Sequence, residues 1–169
     1  MKPELVYLSL GSNLGDREAN LAGAITIFGT DDHISAIKSA SFYESPFLGE
    51  GEQPEYLNTV IEFSTDFSPF DLFERTCKIE QMMGRSEERK KNTARSLDID
   101  ILCFGDSILE TEKLTIPHPR LAFRKFVLVP FVELAPDFDV PGINLSVSTL
   151  LHVCSDSSVV SKHSLESRA

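Results

Sequence analysis

Between residues 96 and 101, apolar and polar side chains alternate without a break, and two of the polar ones are Asp98 and Asp100. Alternation with a period of two is typical of a half-buried β-strand, whose apolar side chains face a core. The two carboxylates then lie on the opposite face, about 7 Å apart. Carboxylates this close repel each other unless a cation lies between them. Because Mg²⁺ is often held by one or two carboxylates together with substrate phosphates, the pattern favours a magnesium-phosphate site.

The same pair also fits an ordinary strand with a solvated acidic face, so the surrounding charge matters. The chain carries a net charge of −10, yet residues 75–95 contain seven Lys or Arg against three Asp or Glu. The overall charge argues against a general nucleic-acid binder, which normally presents a basic face. A cationic segment beside two aspartates on an acidic protein instead favours a small polyanion that carries its own metal.

Length and composition predict one globular domain. The 169 residues fit a single domain, assigned to residues 1–154, followed by a serine-rich polar tail at residues 155–169 that we expect to pack poorly. No apolar run approaches about 18 residues, so we expect no membrane span and no long signal segment. The three cysteines form no C-x-x-C pair, which argues against a disulfide framework or a zinc site and predicts a cytoplasmic protein with reduced thiols.

The predicted elements follow the order βαββαβ. Strands are expected at residues 5–10, 37–45, 56–65 and 95–104, with a helix at about 14–28 that buries Leu14. A second helix is expected from Pro69, with Ser68 as its N-cap and Gly84 at its end. This order predicts a ferredoxin-like α+β core with an antiparallel sheet and helices packed on it. Additional strands and short helices are expected in the C-terminal part, around residues 117–119.

Neither common phosphate-binding loop occurs: the chain has no G-x-x-x-x-G-K-[ST] and no G-x-G-x-x-G. A nucleotide would therefore have to be held by side chains and metal. A polymerase-type nucleotidyltransferase is disfavoured, because its Gly-Ser pair lies shortly before its aspartates. Here Gly11 and Ser12 lie far upstream, on a different predicted strand.

Several segments together resemble the family of 6-hydroxymethyl-7,8-dihydropterin pyrophosphokinases of folate biosynthesis. They follow one another in order between about residues 7 and 141, and their joint spacing is much more specific than any one of them. The matching segments are residues 7–16 (YLSLGSNLGD), 45–49 (SPFLG), 53–58 (QPEYLN), 79–80 (IE), 84–85 (GR), 95–102 (RSLDIDIL) and 116–121 (IPHPRL).

The resemblance implies transfer of the β,γ-pyrophosphoryl group of ATP to the hydroxymethyl oxygen of the pterin, with release of AMP. It implies two magnesium ions on Asp98 and Asp100, either of which could also accept the hydroxyl proton. It further implies that Arg85 and Arg95 act in catalysis and hold phosphate. On the nucleotide side it adds His118, Arg124 and, more weakly, Glu80.

The pterin pocket implied by the resemblance combines aromatic rings with an amide that reads the polar edge of the heterocycle. Its residues would be Ser45, Pro46, Leu48, Tyr56, Asn58 and Phe126. The chain departs from the family at residues 92–94, where Asn92 stands in place of an aromatic residue that could cover the bound pterin.

Two other functions remain open at this point. One is a non-catalytic, ferredoxin-like ligand-sensing module, which would not need the phosphate-binding residues to be retained together. The other is a domain that pairs noncovalently with another folate-pathway enzyme, since the chain is too short to contain a second catalytic domain. The expected partners are ATP and a pterin, with no nucleic acid and no membrane.

Overall fold

The computed structural model describes residues 2–84 and 94–164. The site candidate Arg85 and the family departure at Asn92 lie outside this range. Within it, six strands form one antiparallel sheet: β1 (Glu4–Ser12), β2 (Ile34–Ser39), β3 (Tyr43–Ser45), β4 (Tyr56–Thr65), β5 (Asp98–Phe104) and β8 (Ser161–Lys162). Their order is β5-β1-β4-β3-β8, and β2 pairs with the other half of the β4 edge. This confirms the ferredoxin-like α+β fold.

Two long helices connect the strands, and both begin at side-chain caps. Helix α1 (Arg17–Gly29) starts at Asp16, whose carboxylate accepts the N–H of Ala19, and α2 (Pro69–Met82) starts at Ser68 as predicted. The expected start of α1 near Leu14 is wrong. Gly15 adopts a positive φ of 74° and turns the chain before Asp16, so Leu14 lies outside the helix and is 49% exposed.

The predicted second strand at residues 37–45 is interrupted and forms two strands. At the break, the backbone N–H and the hydroxyl of Ser41 bind the carboxylate of Glu133 rather than a neighbouring strand. Strand β1 also extends further than expected, so Gly11 lies within the strand and not in a turn. Strand β5 begins at Asp98, three residues later than predicted.

Helices cover both faces of the sheet. Alternate β1 residues such as Leu8 and Leu10 face α1 and α2, whereas Tyr7 faces a second core. That core is built by α3 (Lys125–Leu134) and α4 (Val147–Val153), which follow a short hairpin of β6 (Leu109–Glu110) and β7 (Thr115–Ile116) and a 3₁₀ turn (Leu121–Phe123). The expectation of extra C-terminal strands and short helices is confirmed.

Within the predicted polar tail, residues 161–163 pair with the sheet edge. Strand β8 pairs with β3, and the N–H of His163 donates to the carbonyl of Phe42. Serine-rich composition did not reveal this, because edge pairing uses backbone groups that any residue carries. None of the described helices is long and apolar enough to cross a membrane. All three cysteines are free, and burial raises the pKa of the Cys103 thiol to about 12.

Candidate active site

The candidate site lies on the α3 side of the sheet, where three adjacent strands present polar or small residues. In β1, Ser9 lies opposite Asp100 of β5, and Gly11 lies opposite Asp98. On its other side, Gly11 lies opposite Asn58 of β4. The acidic pair and Asn58 are therefore separated by one strand, a distance of about 10 Å between the flanking backbones.

Asp98 and Asp100 occupy the same face of β5, as their alternation with buried Ile99 and Ile101 predicts. Their side chains are 29% and 38% exposed, so their oxygens are accessible from solvent. The side chains of β5 alternate regularly as far as Ile101. One extra residue at Leu102 shifts the pairing with β1, beyond the acidic pair.

Arg95 lies just before β5 and contacts Asp98. Its guanidinium Nη1 is 3.2 Å from Asp98 Oδ1. The backbone of Arg95 is fixed separately by Asn13, which follows β1: the Asn13 side-chain oxygen accepts the Arg95 N–H at 2.8 Å, and the Asn13 N–H donates to the Arg95 carbonyl at 3.0 Å. Arg95 thus enters the site from an anchored stretch of backbone.

His118 is held beside the acidic pair by backbone groups. Its N–H donates to the carbonyl of Leu102, and its ring Nδ1 accepts the N–H of Arg120 at 3.1 Å. In the neutral ring the proton is therefore on Nε2, which faces Asp100 Oδ1 at 3.8 Å. Burial, followed by the charges of Arg124 and Arg120, lowers the pKa of His118 to about 4. This lowered pKa favours the neutral imidazole at pH 7.

Arg124 is a second cation next to the acidic pair. Burial lowers the pKa of its guanidinium, and Asp100 partly opposes the effect, yet an arginine remains charged near neutral pH. The guanidinium carbon lies 5.6 Å from the ring centre of Phe126. Arg124 therefore connects the acidic pair with the aromatic part of the cavity.

A cavity opens beside the acidic pair and brings together all six residues predicted for the pterin. Ser9, Gly11 and Phe47 line it as well and were not predicted from the sequence. The complete lining is Ser9, Gly11, Ser45, Pro46, Phe47, Leu48, Tyr56, Asn58, Asp98, Asp100, Arg124 and Phe126. Arg95, His118 and Glu80 do not line it. Glu80 is buried on α2, so its proximity to a nucleotide remains a prediction.

The Asn58 amide has a defined orientation. Its nitrogen donates to the hydroxyl of Ser45 at 2.8 Å and to the carbonyl of Tyr43 at 3.3 Å. The amide oxygen lies next to Gly11, because a Cβ placed on that glycine would be 3.3 Å from it. In this arrangement Asn58 offers a ligand an acceptor, so it matches a ligand edge that carries N–H donors.

The residues missed by sequence reasoning differ in how detectable they were. A glycine inside a strand often marks a place where a ligand or another chain segment approaches closely. The predicted first strand ended at residue 10, before Gly11, so this signal was not recognised. Asn13 gave no such signal. Its partners lie 82 and about 40 residues away in the chain, beyond any local pattern.

The acidic pair suits magnesium in its type of donor and in its exposure. The described parts of the chain contain no cluster of three or more side chains that could hold a metal ion. Magnesium does not require one, because it retains several waters and takes further oxygens from substrate phosphates. Two accessible carboxylates on a rigid strand are therefore a suitable protein contribution to a magnesium-nucleotide site.

Comparisons with known proteins show the family to which the chain is similar. A sequence model of the 7,8-dihydro-6-hydroxymethylpterin-pyrophosphokinase (HPPK) family matches residues 7–136. The 2-amino-4-hydroxy-6-hydroxymethyldihydropteridine pyrophosphokinase of Bacillus subtilis is 39% identical over 130 residues, or 77% of each chain. The protein of the same name from Haemophilus influenzae is 38% identical over 136 residues, covering 80% of this chain and 84% of its own length.

Solved structures support the fold. The wild-type Plasmodium falciparum HPPK-DHPS, determined with pterin and p-hydroxybenzoate, superposes with a TM-score of 0.65 at 16% identity. The match covers 89% of this chain but 43% of that one, so the chain spans less than half of the solved protein. Because the family model and the two bacterial relatives cover most of the sequence, the chain belongs to the 7,8-dihydro-6-hydroxymethylpterin-pyrophosphokinase family.

Proposed function

We propose that this protein transfers the pyrophosphoryl group of ATP to 6-hydroxymethyl-7,8-dihydropterin in folate synthesis. The hydroxymethyl oxygen forms a bond to the β-phosphorus while the bond from that phosphorus to the α,β-bridging oxygen breaks. AMP leaves, and the hydroxyl proton is released. The observation that carries this proposal is that the acidic pair lines the same cavity as the aromatic residues and Asn58, on one face of three adjacent strands.

We propose that Asp98 and Asp100 hold the magnesium ions that accompany ATP, two in number as the family resemblance implies. Bound magnesium supplies positive charge that neutralises the triphosphate and acidifies the attacking hydroxyl. On the protein side, Arg95, His118 and Arg124 surround the acidic pair. The two guanidiniums suit phosphate oxygens, and the neutral imidazole can donate one hydrogen bond from Nε2.

Arg85 completes the proposed phosphate-binding group by resemblance alone, because it lies outside the described residues. Glu80 is kept as a weaker nucleotide-side candidate. For the pterin, the proposal rests on Tyr56 and Phe126 as aromatic walls and on the Asn58 oxygen as the acceptor. The Ser45 hydroxyl lines the same cavity and accepts the hydrogen bond that orients Asn58.

The reaction class also supports proposals about setting and partners. A reaction that consumes ATP, in a chain whose three cysteines are free, fits the cytoplasm. The solved HPPK-DHPS protein is more than twice as long as the part that this chain matches, so its HPPK part is joined to a further segment in one polypeptide. This supports a contact between the present protein and another folate-pathway enzyme.

The decisive experiment incubates the protein with ATP, Mg²⁺ and 6-hydroxymethyl-7,8-dihydropterin and identifies the nucleotide product. We expect AMP in a one-to-one ratio with the pyrophosphorylated pterin. ADP would contradict pyrophosphoryl transfer. Binding of both ligands without any AMP would instead support the non-catalytic sensing module.

Removing one carboxylate at a time tests the acidic pair. Asp98→Asn and Asp100→Asn should each lower turnover by about three orders of magnitude or more, since charge stabilisation in the transition state is worth several kcal/mol. Asp106→Asn, an exposed aspartate in the turn after β5, is the matched control and should remain near wild type. Turnover within about tenfold of wild type in either test variant would refute the metal-binding assignment.

A further inference from the structure

Asn13 is a buried amide that connects two parts of the site. Its side chain is polar, yet the residue is 2% exposed. Buried amides of this kind are stable only when their donors and acceptors are satisfied, and the partners of Asn13 come from two separate segments. One segment carries Arg95, and the other is the stretch that leads into β4.

On the first side, the Asn13 oxygen accepts the N–H of Arg95 at 2.8 Å, and the backbone of Asn13 donates to the Arg95 carbonyl at 3.0 Å. On the second side, the Asn13 nitrogen donates to Gln53 Oε1 at 3.1 Å and to the Pro54 carbonyl at 3.3 Å. The Arg95 N–H can only donate and the Pro54 carbonyl can only accept. The orientation of the amide is therefore determined by its partners.

The two segments serve different ligands in the proposed reaction. Arg95 reaches Asp98 on the phosphate side. Pro54 lies two residues before Tyr56, a wall of the aromatic cavity, near the end of the loop that connects β3 to β4. If the segment that carries Arg95 shifted and took Asn13 with it, the hydrogen bonds from Asn13 to Gln53 and Pro54 would stretch. A shift of the Gln53 and Pro54 segment would stretch the hydrogen bond to Arg95 in the same way.

We infer that Asn13 is a positioning residue that couples binding of the nucleotide to binding of the pterin. The inference rests on the proposed function, and it assigns Asn13 no contact with either substrate. A nucleotide that fixes Arg95 would raise the affinity for the pterin through this amide. By thermodynamic reciprocity, the pterin would raise the affinity for the nucleotide by the same factor.

Three variants separate the two halves of the connection. Asn13→Asp retains the acceptor for the Arg95 N–H and loses the donor to Gln53 and Pro54. Asn13→Ala loses both. Gln53→Ala removes one loop partner and leaves Asn13 intact.

The measurement is the dissociation constant of the pterin, with and without a non-hydrolysable ATP analogue and Mg²⁺. The ratio of the two constants is the coupling factor. We expect Asn13→Asp and Asn13→Ala to reduce this factor by at least about tenfold, and Gln53→Ala to reduce it less. Nucleotide affinity measured alone should fall in Asn13→Ala and remain near wild type in Asn13→Asp.

Amide hydrogen exchange in the ligand-free protein provides an independent readout. The Arg95 N–H should exchange at least about tenfold faster in Asn13→Ala and at the wild-type rate in Asn13→Asp. An unchanged coupling factor in both Asn13 variants would overturn the inference and leave the proposed function intact. If Asn13 were merely structural, the variants would bind both ligands more weakly and to the same extent, and the coupling factor would not change. That result would also overturn the inference. Absence of binding by the wild-type protein would defeat the proposed function and this inference together.

Discussion

At the scale of single residues, the position of Gly11 shows how closely the floor of the cavity is packed. A Cβ at this position would lie 3.3 Å from Asn58 Oδ1 and 3.4 Å from Tyr56 Cδ1. The backbone of Gly11 does not have a positive φ, so close approach, and not conformation, explains the glycine. Any larger residue would occupy the space between the acidic pair and the proposed pterin-reading amide.

Gly11→Ala should therefore weaken pterin binding by about tenfold or more, because the added methyl displaces Asn58 or the ligand. Nucleotide binding measured alone should change little. Isothermal titration of each ligand tests the difference. Gly29→Ala is the control, since a Cβ there meets its nearest atom at 3.9 Å, an ordinary contact. Unchanged pterin affinity in Gly11→Ala would show that the ligand does not approach this strand.

Sequence reasoning succeeded where a residue's role follows from its neighbours in the chain, and it failed where the role depends on distant ones. The common face of Asp98 and Asp100 follows from a period of two in a strand. The two-sided contacts of Asn13 do not follow from any spacing, because they join β1 to segments that only the folded sheet brings close.

At the scale of elements, the two helix starts illustrate the same distinction. Ser68 before a proline and an acidic residue is a strong local signal, and the structure confirms it: the Ser68 hydroxyl accepts the Asp71 N–H and donates to its carboxylate. For α1 the apolar spacing placed Leu14 in the helix, but the turn at Gly15 and the cap at Asp16 take precedence. Spacing predicts the buried face of a helix better than its first residue.

The Ser68 cap gives a prediction about stability alone. Ser68→Ala should lower the free energy of unfolding by about 1 kcal/mol, the typical effect of losing a helix N-cap. Catalysis should be unaffected, because Ser68 does not line the cavity. Urea denaturation and steady-state kinetics measure the two effects. Ser148→Ala, on an exposed position within α4, should change stability by less than about 0.5 kcal/mol. A loss of turnover in Ser68→Ala without loss of stability would contradict this view.

At the scale of the whole molecule, the sheet is held between two helical layers, and the C-terminal segment ties parts of both to its edge. The ring of His163 contacts Glu18 of α1 and, at 3.6 Å, Glu44 of β3. Next to it, Lys162 Nζ lies 4.0 Å from a carboxylate oxygen of Glu133 on α3. As the edge strand, β8 thus braces its neighbour β3, whose last residue, Ser45, lines the cavity.

His163→Ala should test whether this brace serves the architecture or the site. The variant loses the ring contacts to Glu18 and Glu44, and because these groups are 20–30% exposed we expect a loss of about 1 kcal/mol in the free energy of unfolding. Turnover should remain within about twofold of wild type, because Ser45 is still held by Asn58 and Glu44 by Arg17. Denaturant titration and AMP release measure the two quantities. His152→Ala, on the exposed last turn of α4, is the matched control and should alter neither. If His163→Ala instead weakened pterin binding at unchanged stability, the C-terminal strand would have to be counted as part of the substrate site.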